Sequence, residues 1–224
     1  FLIVIKFLHN QSLKSVTTAR NLIDFSRVFT AFISISLLIV FNVLFSIYSS
    51  PEEYIFQFNL NDFLILALIA IIFIPVQTSL EEYVFRGYLM QGLGVFFKNK
   101  WFPLFVTSLG FGLLHLSNPE IEKMGNIIII HYVITGLFLG IITLMDDGME
   151  LALGFHAGNN LLIALLVTAD WTVFQTSSVF KYIGEPDIVN QIFYSLLCYP
   201  LLLFYFSKKY QWTNWKEKLT GKIS

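Results

Sequence analysis

"FLILALIAIIFIPVQTSLEEYVFRGYLMQGLGVFF" occupies residues 63–97, and how it divides decides the fold. It is apolar almost throughout, yet it carries Pro75 and, a few residues on, Glu81, Glu82 and Arg86. A proline inside a helix removes one backbone hydrogen bond and kinks or ends it. A charge at the centre of a bilayer costs roughly 2.5–3.5 kcal/mol on insertion scales. The pattern predicts two helices, 63–77 ended or kinked at Pro75 and 79–97 opening on its acidic pair. At a helix start the dipole favours the Glu81 carboxylate. Glu82 and Arg86 stand four apart with the acid first, the better orientation for a pair on one helix face. On its own that pair reads equally well as a structural clasp.

The rest of the chain is of the same kind. Of 224 residues, 56% are hydrophobic, 17% aromatic and only 13% charged; mean hydropathy is +0.70. A soluble domain carries about 25% charged residues, so too few polar groups are present to cover a water-facing surface. A spanning helix needs about 20 mostly apolar residues. Further candidates are 28–48, 102–116, 126–145, 151–169 and 191–206. The expected fold class is therefore all-α, a polytopic membrane bundle of about seven spans (six to eight), built as a single membrane domain over residues 1–224. "FLIVIKFL" at the start is too short to span and reads as the tail of a lost helix or part of a signal anchor, and opening at Phe1 suggests a trimmed N-terminus. Cys198 stands alone, which excludes an internal disulfide, and reads as a small apolar packing residue. The near-neutral charge shows no basic patch for nucleic acid. Residues 207–224, basic and with two tryptophans, read as an interfacial cytoplasmic tail.

Orientation stays open on counting alone. If 79–97 does not cross, the basic groups before the first span, in the 98–100 loop and in the tail share one side, as the positive-inside rule prefers. If 79–97 does cross, the N-terminal and C-terminal basic groups fall on opposite sides, yet antiparallel packing of 79–97 on 102–116, which would bring Glu81 and His115 to one depth, favours this second reading.

Three more polar features sit in apolar runs. "FGLLH" (111–115) ends a candidate span on His115. "HAGNN" (156–160) places His156 and Asn160 four apart, one helical face, with Ala157 and Gly158 between them allowing a close approach. His131 in "IIIIHYVIT" has the look of a histidine bonded to a neighbouring helix. An intramembrane asparagine is often interhelical glue. The co-occurrence argues otherwise: an acid, two histidines and an amide, each on a different apolar helix or with its own i,i+4 partner, define a functional site by default. Their chemistry is water activation, with a carboxylate as general base and an amide as oxyanion donor. His, His and Glu also form a zinc set, but HExxH is absent and spacing alone asserts no metal.

These three motifs in order, "EEYVFR" (81–86), "FGLLH" and "HAGNN", resemble those of the CPBP or Abi family of CAAX proteases and bacteriocin-processing enzymes, relatives of the type II CAAX prenyl endopeptidase. The resemblance covers about residues 75–170, the expected catalytic core. It implies a glutamate-dependent intramembrane endopeptidase without a metal cofactor. By it, Glu81 activates water, His115 helps orient that water, and His156 and Asn160 stabilise the oxyanion. Glu82 and Arg86 support the site as an ion pair. The implied partners are the lipid bilayer and a membrane-associated peptide or protein substrate. Abundant Phe, Ile and Asn with few Ala suggest a low-GC bacterium, and hence a bacteriocin or pheromone peptide, or self-immunity, at the cytoplasmic membrane. A non-enzymatic immunity or scaffold protein, a zinc-dependent membrane peptidase and a proton-coupled transporter remain alternatives.

Overall fold

In the computed structural model, which describes residue 1 and residues 3–223, six apolar helices dominate the chain. They are α1 (Phe25–Ser49), α2 (Leu60–Phe97), α3 (Trp101–Leu114), α4 (Ile128–Asp146), α5 (Glu150–Leu166) and α6 (Ile188–Lys209). α1, α2, α4 and α6 are each long and apolar enough to cross a membrane; α3 and α5 are shorter. Large side chains such as Phe29, Phe41, Phe73 and Leu197 are exposed on the outside. An apolar exterior of this kind is soluble in lipid rather than water, and the chain is an integral membrane protein.

The segments expected as separate helices, 63–77 and 79–97, are one continuous helix of 38 residues. Pro75 lies inside it and does not end it. Freed backbone groups of this kind are tolerated in membrane helices, where neighbouring helices and side chains re-satisfy them. Glu81 consequently stands well inside a helix, not at its start, and the dipole does nothing for it. Over Tyr83–Leu89 the helix winds as a π-helix, directly after Glu82. Such widened turns often occur at functional sites.

Helix ends follow local chemistry. Asp24 caps α1, Asn59 caps α2 and Asp187 caps α6, each side chain accepting backbone N–H groups of the first turn. The Ser26 hydroxyl and amide, with Arg27 beside them, hold the Asp24 carboxyl below its usual range. Lys98 and Asp147 adopt left-handed backbone at φ 53° and 52°. They stop α2 and α4 and turn the chain into tight hairpins with α3 and α5.

The two hairpins define one end of the bundle. The segment before α1 and the tail after α6 meet there: Thr18 pairs with Gly148 and Asn99 with Lys222. These segments, with the adjoining turns of α1 and α6, carry eleven of the fourteen Lys and Arg residues; Lys123 and Lys181 lie at the other end and Arg86 between. Since 60–97 crosses once as a single helix, both termini share one end, and 79–97 adds no crossing of its own that would separate the basic groups. The opposite end holds a small sheet of order β1-β3-β2, from β1 (Tyr54–Phe56), β2 (Val167–Thr168) and β3 (Phe180–Tyr182). β1 and β3 are antiparallel, with Ile55 opposite Lys181, and β2 runs parallel to β3.

α5 is the central helix. Gly154 and Gly158 lie against α1: a Cβ on Gly154 would come 2.0 Å from Val28 O, and one on Gly158 2.9 Å from Ile35 Cγ2. The close approach expected around Gly158 is thus made by a helix. His156, two residues from each glycine, projects from the opposite face of α5, toward α2. The main core lies between α4, α5 and α6, around Phe138, Leu139, Phe155 and Phe206.

Candidate active site

α2 supplies the acids and the arginine. Glu82 is fully buried and Arg86 nearly so. Arg86 Nη1 donates to Glu82 Oε1 at 2.9 Å, and Nη2 donates to the Gly136 carbonyl of α4 at 2.9 Å. The guanidinium also lies 4.6 Å from the centre of the Phe111 ring. These contacts compensate the buried cation at its two terminal nitrogens, while its Nε has no hydrogen-bond partner. Gly136 permits it by packing α4 tightly on α3, since a Cβ there would meet Ser108 O at 2.9 Å.

The expected clasp of Glu82 and Arg86 is present, and Glu82 does more. His156 Nδ1 lies 2.8 Å from the same Glu82 Oε1. A carboxylate paired with arginine only accepts, so Nδ1 carries the proton and donates. Nε2 of the neutral ring then presents a lone pair, and it stands 3.8 Å from Glu81 Oε2. A chain Arg86–Glu82–His156–Glu81 results, from a buried ion pair to a carboxylate whose side chain is 19% exposed.

α3 brings His115 to the same place by antiparallel packing on α2. Gly110 contacts Phe85, and the Phe85 and Phe111 rings meet edge-on at 5.6 Å. His115 Nδ1 is 2.8 Å from its own Phe111 carbonyl, which must accept, so Nδ1 donates and Nε2 is left free. Phe111 lies between the two histidines, 4.9 Å from the His115 ring and 5.7 Å from the His156 ring. Asn160 follows one turn after His156 on α5; its Oδ1 accepts from Asn159 Nδ2 at 3.0 Å, which leaves its own Nδ2 as the available donor. Among the described residues no group of three or more His, Cys, Asp or Glu is placed to hold a metal ion.

Three contacts lie outside the sequence expectations. Gln77 Nε2 donates to Glu81 Oε1 at 3.1 Å, so Glu81 does have a partner on its own helix. The signal was an amide in an apolar run, one turn before the acid. Tyr132 stacks on His115 with ring centres 4.1 Å apart, a pairing across α3 and α4 that no spacing could reveal. Asn159, within "HAGNN", makes the third by donating to the Asn160 side chain. His131 bonds to Ser195 of α6 at 2.8 Å and takes no part in the site. The tail differs from the interfacial expectation at Trp212, which is buried and donates to Asp146 at 3.0 Å.

Comparison with known proteins bears on the segment that builds this site. The family profile described as type II CAAX prenyl endopeptidase Rce1-like matches residues 59–162. A Bacillus subtilis (strain 168) protein, uncharacterized protein YyaK, is 31% identical over 173 residues, covering 77% of this chain and 58% of that protein. The chain thus spans little more than half the length of that relative. No solved structure matches. Residues 59–162 run from the start of α2 to the second half of α5 and include Glu81, Glu82, Arg86, His115, His156 and Asn160, and over this segment the chain is similar to the type II CAAX prenyl endopeptidase Rce1-like family.

Proposed function

We propose that the protein is an intramembrane endopeptidase that hydrolyses a peptide bond with water activated by Glu81. The observation that carries this is the arrangement at His156: Glu82 fixes its proton on Nδ1, and its Nε2 lone pair faces Glu81 Oε2 across 3.8 Å. Two acceptors at that separation suit a water that donates one hydrogen to each. Glu81 takes one proton as the water oxygen bonds the scissile carbonyl carbon. The negative charge gathers on the former carbonyl oxygen, where Asn160 Nδ2 is the available neutral donor. Collapse breaks the C–N bond, and the proton held by Glu81 passes to the leaving nitrogen. His156 here orients water, a different task from the oxyanion role that the resemblance implies, because its Nε2 carries no hydrogen in the tautomer Glu82 selects. His115 Nε2 is a second acceptor for the water.

The substrate proposed is a membrane-associated peptide, of the bacteriocin or pheromone class, in a bacterial cytoplasmic membrane. The Bacillus relative supports the bacterial setting. The basic end with both termini is assigned to the cytoplasm by the positive-inside rule. Comparative peptidomics of membranes from cells carrying wild type, Glu81→Ala or Glu81→Gln tests the activity. Defined cleavage products disappear in both variants while each protein remains folded at normal abundance; products that persist in a folded Glu81→Ala protein exclude this function.

A further inference from the structure

Gln77 sits on a stretch of α2 that faces outward, with Phe73, Val76 and Leu80 beside it 64%, 64% and 54% exposed. An amide there gives up the solvation an apolar residue would obtain from lipid. Its Nε2 donates to Glu81 Oε1 at 3.1 Å. The other oxygen, Oε2, is the one that faces His156. Gln77 therefore pins one carboxylate oxygen and aims the other.

The packing of α2 on α5 adds a second relation. These helices are antiparallel, with Glu82 against His156, and with Ile74 and Ala70 in one cluster with Leu161 and Ala164. That register sets Gln77 at the depth of Asn160, one helical turn from Glu81 along the direction in which a substrate carbonyl reaching the Asn160 amide must lie. Besides Gln77, the charged or titratable groups around Glu81 are His156 from α5, His115 from α3, and Glu82 and Arg86 on its own helix. Gln77 is the neutral donor to it.

We propose that Gln77 is a positioning residue for hydrolysis, holding the Glu81 carboxylate so that its free oxygen meets water between it and His156. The assignment rests on the endopeptidase function proposed above. A carboxylate side chain on a helix has several rotamers, and a base displaced by about 1 Å from its working geometry can lose two orders of magnitude in rate. A pair of this spacing also steadies a helix slightly, so the test separates the two roles.

The test uses full-length protein in nanodiscs. The probe is a fluorogenic peptide spanning a bond whose cleavage is lost in Glu81→Ala cells. In Gln77→Met, which keeps length and helix preference, kcat per folded molecule falls about tenfold while KM stays within twofold. Gln77→Asn, an amide one methylene too short to reach, behaves like Met. A merely structural role would lower the folded fraction and leave kcat per folded molecule unchanged. If Glu81→Ala is inactive but Gln77→Met retains wild-type kcat, or raises KM alone, the positioning role is wrong and the endopeptidase stands. Cleavage that survives Glu81→Ala overturns both.

Discussion

At the residue scale, the site depends on one oxygen atom. Glu82 Oε1 accepts from Arg86 and from His156, so a single side chain neutralises a buried cation and sets a histidine tautomer. Removing it leaves Arg86 buried without its counter-ion. Glu82→Ala is therefore expected to cost about 3–5 kcal/mol, seen as a melting temperature roughly 10 °C lower in detergent. Glu82→Gln keeps the shape but can offer a hydrogen to His156 in place of accepting one. It should lose activity by a larger factor than its stability loss explains, measured as cleavage per folded molecule. Equal loss in the two quantities would make Glu82 a structural residue only. Both glutamates, the arginine, the histidines and Asn160 could be picked out as a linear pattern, because each is a polar residue placed where lipid makes it costly. The separate tasks of Glu81 and Glu82 are implied by the resemblance; that Glu82 also holds His156 is not, since that bond depends on surroundings and not on residue type.

At the element scale, α5 is placed by what it lacks. Gly154 and Gly158 let α1 approach so closely that a Cβ on Gly154 would collide with the Val28 carbonyl at 2.0 Å. Backbone cannot yield as a side chain tip can, so even Gly154→Ala must push α1 and α5 apart, at about 1–3 kcal/mol. His156 projects from the opposite face, and its 2.8 Å contact with Glu82 would shift with the helix. Gly92 serves as the control, because a Cβ there meets nothing within 4 Å. Gly92→Ala should be neutral or stabilising by about 0.4–1 kcal/mol. Thermal unfolding of the two variants side by side measures the difference, and similar melting temperatures would show that α1 and α5 do not depend on this contact. The fusion of 63–77 with 79–97 belongs to this scale too. Proline is a strong local breaker, but inside a membrane helix backbone groups freed by it are re-satisfied by neighbouring side chains, and here the Thr78 hydroxyl donates to the Ile74 carbonyl at 2.9 Å.

At the scale of the whole molecule, a polar cluster closes the basic end. Asp146, buried at the end of α4, takes Arg20 from the segment leading into α1, Arg27 from the first turn of α1 and Trp212 from the tail. Glu150 takes Arg20 as well, at 3.1 Å. Asp146→Ala should free the tail, raising its rate of tryptic cleavage at Lys216 and Lys218 by at least about tenfold, with the helices left intact. Topology has its own check. With Cys198 buried, a cysteine introduced at Gln175 should react with a membrane-impermeant maleimide in intact cells, and one at Asn99 should not; the reverse pattern would invert the proposed orientation. The amino-acid sequence by itself determined an all-α membrane protein and marked the residues of a candidate site, because hydropathy and costly intramembrane charge are local properties that survive in a linear pattern. Only the tertiary structure decided that 60–97 is one helix, that both termini share an end, that Glu82 pairs with His156, that Gln77 bonds Glu81 and that Tyr132 stacks on His115. Those outcomes depend on which faces the helices turn to one another, and helix facing is set by packing between segments far apart in the chain.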